Sequence, residues 1–581
     1  MKQLVASILL ILLFEVLLSE CANPKAPTGG PKDTIPPTLL ESFPPAETIN
    51  FDEQEIRLVF DERITADKLS SNLIITPNIE IKYKTFIKKD EFVIKFEEPF
   101  PDSTTITLNF FDGITDANEQ TPAVNLTYVF STGNFLDSLQ VAGEVKNLMT
   151  AKPMEKIIVG LFPFSDTLDI FKTKPMYFTS SDNEGMFGIT NIKKGTYKLL
   201  AFSDKNRNLT FDASVEAYGF LANPIVLDSN VLSLSIPMIR ENATELLMVA
   251  SRSLGNYFDI QYNKSLNTTQ LSTDFDYNVT EDLKSIRIYK PKEFILTDSL
   301  ETFVTASDSL GNSRIDTVFV KFNENVRNAA QFVTSIEPQS KKKIDKSTRY
   351  NLSFNKPVTT FDDALIHYSK DSTISILLDS TINFEWNNTR TQLSFISTFD
   401  TATYFLQQKK LIQARDSIPS DTLSDQALSA IKDSTLTETP KPRKKSPPSN
   451  VSSSIDLQFP EGTFISIEKD TLQAITNSYT FFKQPDLGLI FLTIATETPK
   501  YTVQIIDKSF SVVREFEGQA NIKITNLLPG DYGIRILIDQ NEDGNWSKGN
   551  ILKNQEPESI YLFPEFTTIR ANWENTLDIS F

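Results

Sequence analysis

The chain has one cysteine, Cys21, and one histidine, His367, in 581 residues. Disulfides within the chain, CxxC redox pairs and histidine-rich zinc sites lack their parts, as do Cys-His nucleophiles if Cys21 carries lipid. His367 could serve a single Ser-His-Asp triad, but it lies in the strand-like run Ile366-His367-Tyr368 and reads as structural. Basic residues are also short, 57 against 75 acidic, for a net charge of −18. No cationic excess is left to neutralise phosphates, so a nucleic-acid partner is disfavoured. The surplus acid suits a soluble exported protein.

The lone cysteine sits where it has a use. Lys2 and the apolar run Leu4 through Phe14 have the charge and length of a secretory signal, and Glu15 interrupts the run well short of the ~20 residues a membrane span needs. Leu18-Ser19-Glu20-Cys21 resembles a bacterial lipobox, although Glu20 departs from the small residue usual before the cysteine. The expectation is a signal peptide over residues 1–20 and lipid on Cys21. Residues 21–36 are rich in Pro and Gly and cannot pack. Stretched at ~3.3 Å per residue, this tether would hold the next domain up to ~50 Å from the lipid.

Beyond Thr38 the apolar period is two. Ile56, Leu58 and Phe60 alternate with polar or smaller neighbours, as do Phe92, Ile94 and Phe96, then Ile106, Leu108 and Phe110, then Leu126, Tyr128 and Phe130. Such triplets put one apolar face toward a core, and with Phe abundant and turn residues between short runs, the fold class is all-β, built of antiparallel sandwiches.

Particular residues then point to a family. The run Gly29 through Pro37, Ser42-Phe43-Pro44-Pro45, the strand ending Leu58-Val59-Phe60-Asp61-Glu62 and the closing Tyr128-Val129-Phe130-Ser131-Thr132-Gly133 resemble the bacterial Ig-like domain of S-layer proteins. Their succession is similar to the start of Bacteroidota-type lipoproteins that carry this domain. The resemblance implies an Ig-like fold over 37–133 and an envelope location, and it implies no biochemical activity.

The chain also repeats itself. Thr190-Asn191-Ile192-Lys193-Lys194-Gly195-Thr196-Tyr197 matches Thr525-Asn526-Leu527-Leu528-Pro529-Gly530-Asp531-Tyr532 without a gap, 335 residues on. The Gly-x-Tyr turn feeding a strand resembles the prealbumin-like, or carboxypeptidase-regulatory-like, β-sandwich, and implies two such modules, at 134–238 and 483–581. Each copy runs from its strand into an acidic loop. In the second, Asp539, Asn541, Asp543 and Asn545 alternate, with Gly544 sixth; in the first, Asp204, Asn206 and Asn208 alternate and Asp212 is ninth. Alternate oxygen-bearing side chains can surround a hard cation, and calcium is the one cofactor the sequence suggests. Against it, the twelfth positions are Val215 and Asn550 where a calcium loop has glutamate, and the ninth residue of the second loop is Ser547. An Asx-rich turn needing no ion is the competing reading, stronger for the first loop.

The remaining segments are read from pattern. Residues 239–327 carry strand signals such as Ser285 through Tyr289 and Thr317 through Phe322, and form a further β-rich domain. Residues 328–482 form a second Ig-like domain, because Tyr350, Leu352 and Phe354 followed by Val358 repeat Ile56, Leu58 and Phe60 followed by Ile64. Within it, 407–450 is Ser-, Lys- and Pro-rich, including the basic cluster Lys441 through Lys445, and reads as a disordered insertion. Asp-Ser/Thr-apolar triplets such as Asp308-Ser309-Leu310 resemble an O-glycosylation acceptor of the same bacteria.

The functional expectation is a non-enzymatic scaffold held in the outer membrane by its lipid and presenting surfaces to a protein or glycan. Two alternatives stay open. One is a carboxylate-dependent glycan hydrolase, for which Asp112 and Asp116 can be drawn as a pair. The other is a structural spacer stiffened by calcium.

Overall fold

A computed structural model describes residues 33–280, 282–291, 299–323, 330–345, 347–370, 374–378, 382–399, 454–482 and 487–581. Cys21, the signal and most of the tether, and the insertion 407–450 lie outside the described residues. The fold is all-β: strands of two to nine residues, joined by turns and by helical segments of three or four residues. Among the described residues no helix is long and apolar enough to cross a membrane. The chain divides into two compact units, residues 1–145, 154–210 and 223–236 in one and residues 146–153, 211–222 and 237–581 in the other.

The first unit opens with two antiparallel sheets. Leu39–Phe43, Glu55–Phe60, Glu91–Phe96 and Tyr83–Lys88 make one, and Ile74–Thr76, Thr105–Asn109 and Thr127–Ser131 the other. The alternating triplets meet between them: Ile56, Leu58, Phe60, Phe92, Ile94, Ile106, Leu108, Tyr128 and Phe130 are all buried in one cluster. Each such side chain contributes roughly 1.5–3 kcal/mol by leaving water. The Tyr128 hydroxyl, deep in this core, donates to the Pro44 carbonyl at 2.9 Å, which pins the Pro-Pro segment over the sandwich edge.

One strand departs from the alternation. Thr105 and Thr107, on the face expected to meet solvent, are buried. The chain that follows covers them: the Asp137 amide donates to Thr105 Oγ1 at 2.8 Å and Asn191 Nδ2 to Thr107 Oγ1 at 3.1 Å. Threonine satisfies both needs there, a β-branched side chain for the strand and a hydroxyl for the incoming donors. In the same unit, Leu139–Asn147 pairs with Met186–Ile192, and Ile158–Pro163 pairs with Tyr177–Ser180 and Gly195–Phe202.

The second unit contains three further sheet pairs. Met248–Ser253, Tyr257–Tyr262, Ser285–Tyr289 and Tyr277–Val279 face Thr268–Leu271, Leu300–Ser307 and Ser313–Val320 around a core that includes Ile260, Ile286, Ile288, Val304 and Val318. Next, Ser347–Phe354 and Gln392–Thr398 lie in one sheet and Ser454–Phe459 and Ile475–Phe481 in another. Leu393, Phe395, Ile455 and Leu457 share one core, so the strands on either side of residues 400–453 belong to a single sandwich. Here the Tyr479 hydroxyl donates to the Pro338 carbonyl at 2.7 Å, the counterpart of the Tyr128 to Pro44 bond. His367 is half-buried at the head of His367–Lys370, its Nδ1 donating to the Leu365 carbonyl at 2.9 Å. That bond suits the structural role expected of it.

Last, Gly488–Ala495 pairs antiparallel with Asn521–Leu527 and parallel with Glu574–Ser580. Tyr501–Ile506 lies between Val512–Glu517 and Gly530–Ile538, and the last of these also pairs with Ile560–Leu562 and Thr567–Ile569. The terminal Phe581 packs its ring against Tyr501 and Tyr561.

Candidate functional site

The 335-residue repeat has a physical basis. Tyr197 and Tyr532 stand two residues into equivalent strands, Gly195–Phe202 and Gly530–Ile538. Each hydroxyl turns back to donate to the carbonyl four residues earlier, Lys193 at 2.8 Å and Leu528 at 3.0 Å. A side chain at Gly195 would meet the Tyr197 ring at 3.2 Å, whereas at Gly530 the Tyr532 ring is 3.7 Å away and leaves room for one, so the fold-back presses on the glycine in the first copy only. Asn191 and Asn526 both have positive φ, +57° and +61°, a conformation asparagine adopts more readily than most residues.

The strands deliver the two acidic loops in the same backbone form. Fourth positions Arg207 and Glu542 have φ of +60° and +59°, and sixth positions Leu209 and Gly544 have +57° and +94°. Glycine takes that conformation freely, whereas Leu209 holds it at a strain of about 1 kcal/mol. In both loops the third side chain caps the fifth amide: Asn541 Oδ1 accepts from Asp543 N at 2.9 Å, and Asn206 Oδ1 from Asn208 N at 3.1 Å. The fifth side chain likewise caps the seventh amide, Asp543 to Asn545 N at 2.8 Å and Asn208 to Thr210 N at 2.7 Å.

The first side chain is where they differ. Asp204 uses both oxygens, Oδ1 on Asn208 N at 3.1 Å and Oδ2 on Leu209 N at 2.9 Å. Asp539 uses only Oδ2, on Gly544 N at 2.8 Å; its Oδ1 is buried and has no hydrogen-bond partner. Asp539 keeps only 6% of its surface. Asp212, ninth in the first loop and part of the second unit, accepts from the Ser214 amide and hydroxyl at 3.1 and 2.7 Å.

Glu558 organises the second loop and was invisible in the sequence. It is 6% exposed, its Oε1 accepts from Gln540 N at 2.9 Å and Asn541 N at 3.1 Å, and its Oε2 accepts from Ser547 N at 2.7 Å. One carboxylate thus ties the start of the loop to its ninth residue. Glu216 plays part of this role in the other copy, its Oε2 accepting from Asp212 N at 2.9 Å. The only available signal was a glutamate shortly after each loop, at different spacings in the two copies. Trp546 lies against the same support, its Nε1 3.3 Å from the Glu558 and Ser559 carbonyls.

Downstream, the loop is seated on its own unit. Asn550 Nδ2 donates to the Leu310 carbonyl at 2.9 Å and to Asn312 Oδ1 at 2.6 Å, and Lys553 Nζ to the Gly311 carbonyl at 2.7 Å. Lys548 pairs with Glu241. The 308–312 turn is held from beneath by Asp308, whose Oδ1 accepts from Leu310 N and Asn312 N at 2.9 and 2.8 Å. Its Oδ2 meets Lys264 Nζ at 2.5 Å, both side chains being almost wholly buried at 2% and 5% exposure. Lys264 also donates to the Thr244 and Asn242 carbonyls. The buried charge pair is therefore well hydrogen-bonded, the condition under which such a pair is tolerated.

The carboxylates that could make a hydrolase pair are placed otherwise. Asp112 lines a pocket of about 300 Å³ with Asn109, Phe111, Pro122 and Asn125, and Asp116 is absent from its lining. Asp116 is 2% exposed and accepts from Asn118 N through Oδ1 and from Glu119 N through Oδ2. Those backbone bonds, led by Asn118, hold its carboxyl below the ordinary range, as suits a turn-capping aspartate. Among the described residues no set of three or more His, Cys, Asp and Glu side chains is placed to hold a metal ion. Any cation at the second loop would therefore rely on amide and hydroxyl oxygens beside its aspartates.

Comparison with known proteins finds distant neighbours. Domains 1–6 of the surface layer protein SbsC align at 10% identity and a TM-score of 0.14, over 86% of this chain and 64% of that one. The chain thus spans under two thirds of that neighbour. BcpA, the major pilin subunit of Bacillus cereus, aligns at 12% identity and a TM-score of 0.12, over 76% of this chain and 99% of the pilin. Dimeric latent PorU from Porphyromonas gingivalis aligns at 8% identity and a TM-score of 0.20, over 73% and 46%. Comparison with curated proteins gives no match. The family model that does match is that of the bacterial Ig-like domain, over residues 33–132, the stretch that folds into the first pair of sheets.

Proposed function

We propose that the chain is a lipid-anchored scaffold of the bacterial cell envelope, non-enzymatic, which holds a series of β-sandwiches away from the outer membrane and presents their surfaces to a protein or glycan partner. The observation that carries this reading is the position of the bacterial Ig-like domain, which begins at residue 33, directly after Cys21 and its Pro/Gly-rich tether. A tether that cannot pack, followed at once by a closed sandwich, is how a soluble array is kept clear of a lipid surface. The net charge of −18 favours solubility in such an exposed place. The placement of Asp116 supports a non-enzymatic role, since both its oxygens already cap a turn.

The test is labelling of cells with an alkyne fatty acid, followed by membrane fractionation and crosslinking, on the native protein and on Cys21→Ala. Label and membrane recovery in the native protein alone, with a partner crosslinked only to that form, is the expected result. Equal solubility of both forms without label would remove the anchor from the reading.

A further inference from the structure

We propose that the loop from Asp539 to Ser547 binds one calcium ion, anchored by the buried Asp539 Oδ1. Asn541, Asp543 and Asn545 supply side-chain oxygens, and Glu558 acts as a positioning residue that holds the loop closed around the ion. This site is independent of the lipid anchor.

The starting point is the unpartnered oxygen. A carboxylate removed from water with one oxygen unbonded is unfavourable unless a cation or a donor reaches it. The partner carboxylate oxygen is held by the sixth-position amide of Gly544, as Asp204 Oδ2 is by that of Leu209, so Asp539 Oδ1 corresponds to the Asp204 oxygen that meets the fifth-position amide of its loop. No donor arrives, and Lys500, a cation tied to the loop, gives its Nζ to the Glu542 carbonyl. The first loop is an internal control, because its Asp204 satisfies both oxygens with backbone amides and leaves neither unpartnered.

The rest of the loop is arranged to add oxygens. Asn541 Oδ1 and Asp543 Oδ1 each accept one backbone amide, which fixes their orientation and leaves a lone pair on each. Gly544 at φ +94° supplies the sharp turn a calcium loop needs at its sixth position. Glu558 cannot replace the missing twelfth-position glutamate as a ligand, since its oxygens already receive three loop amides; it preorganises the loop instead. Oxygen donors alone select calcium over softer metals, and magnesium demands tighter octahedral geometry. With two loop carboxylates and the remainder amide or hydroxyl, the affinity belongs with extracellular modules, a Kd of about 0.1–1 mM.

The full chain, stripped with chelator, would be titrated with terbium while Trp546 is excited, then with calcium, with calorimetry in parallel. One luminescent site displaced by calcium is expected in the native protein and in Asp204→Asn, and its loss in Asp539→Asn. Undiminished luminescence and calcium heat in folded Asp539→Asn would overturn the proposal, as would no calcium heat up to about 10 mM with the native chain. Should circular dichroism show Asp539→Asn unfolded, the exposed Asp543→Asn takes its place. At least a tenfold loss of calcium affinity in that variant supports the site, and unchanged affinity overturns it.

Discussion

The loops that follow Gly195–Phe202 and Gly530–Ile538 share a spacing and a backbone path, and their first side chains differ in one hydrogen bond. In the first, the amide of Asn208 is shared between Asn206 and Asp204; in the second, the amide of Asp543 goes to Asn541 alone. That single reassignment leaves Asp539 Oδ1 unpartnered. Two loops alike in sequence pattern can therefore be a self-satisfied turn and a turn with a carboxylate oxygen left over, the one proposed to take an ion. Which of the two each one is depends on burial as much as on the residues. Asp204 is half-buried, whereas Asp539 is enclosed, and enclosure is what makes an unbonded oxygen costly.

The strongest way to break the comparison is to remove the seat of the second loop. Lys264→Met would leave Asp308 buried without its cation and should cost about 3–5 kcal/mol, read as an early denaturant transition in Trp546 fluorescence. Next comes the ion itself. At a calcium concentration about 100 times Kd, the native chain should gain about 2.7 kcal/mol in that transition, and Asp539→Asn should gain nothing. In chelator the order should reverse, with Asp539→Asn at least as stable as the native chain, because a neutral amide is cheaper to bury than an unpartnered carboxylate. A variant inferior in chelator as well would show that Asp539 serves the fold and not an ion.

Smaller effects test the parts the copies share. Asn550→Ala removes two bonds to the 310–312 segment and the cap of the Leu552 and Lys553 amides, and should cost about 1–2 kcal/mol in the same fluorescence transition. Tyr197→Phe and Tyr532→Phe each lose one hydroxyl bond to a carbonyl and should cost about 1 kcal/mol apiece by calorimetric melting. Unequal costs would mean that the common frame is looser in one copy. Asp204→Asn should shift neither calcium binding nor its own module by more than a few tenths of a kcal/mol, since an amide oxygen still accepts from one of the two amides.

Much of the frame was legible from residue order. Ile56, Leu58, Phe60, Phe92, Ile94 and Phe96 face inward as their period of two requires, and so do Tyr350, Leu352 and Phe354. The Gly-x-Tyr repeat identified equivalent strands 335 residues apart, because a tyrosine fold-back to a carbonyl four residues earlier leaves a local mark in both copies. The burial of Thr105 and Thr107 was not legible for the opposite reason: alternation reports one partner surface and is silent about a segment that later covers the other face.

By itself, the sequence determined the all-β class, the inward faces of the strands, the negative charge and the oxygen-bearing residues gathered in two loops. These follow from side-chain alternation and composition, which act between near neighbours in the chain. Only the tertiary structure decided that Glu558, nineteen positions after Asp539, closes one loop, that Lys264 and Asp308 support the turn on which Asn550 rests, and that Asp539 is buried with an oxygen to spare. Burial and hydrogen-bond supply are set by which distant segments come together, and no local pattern encodes that.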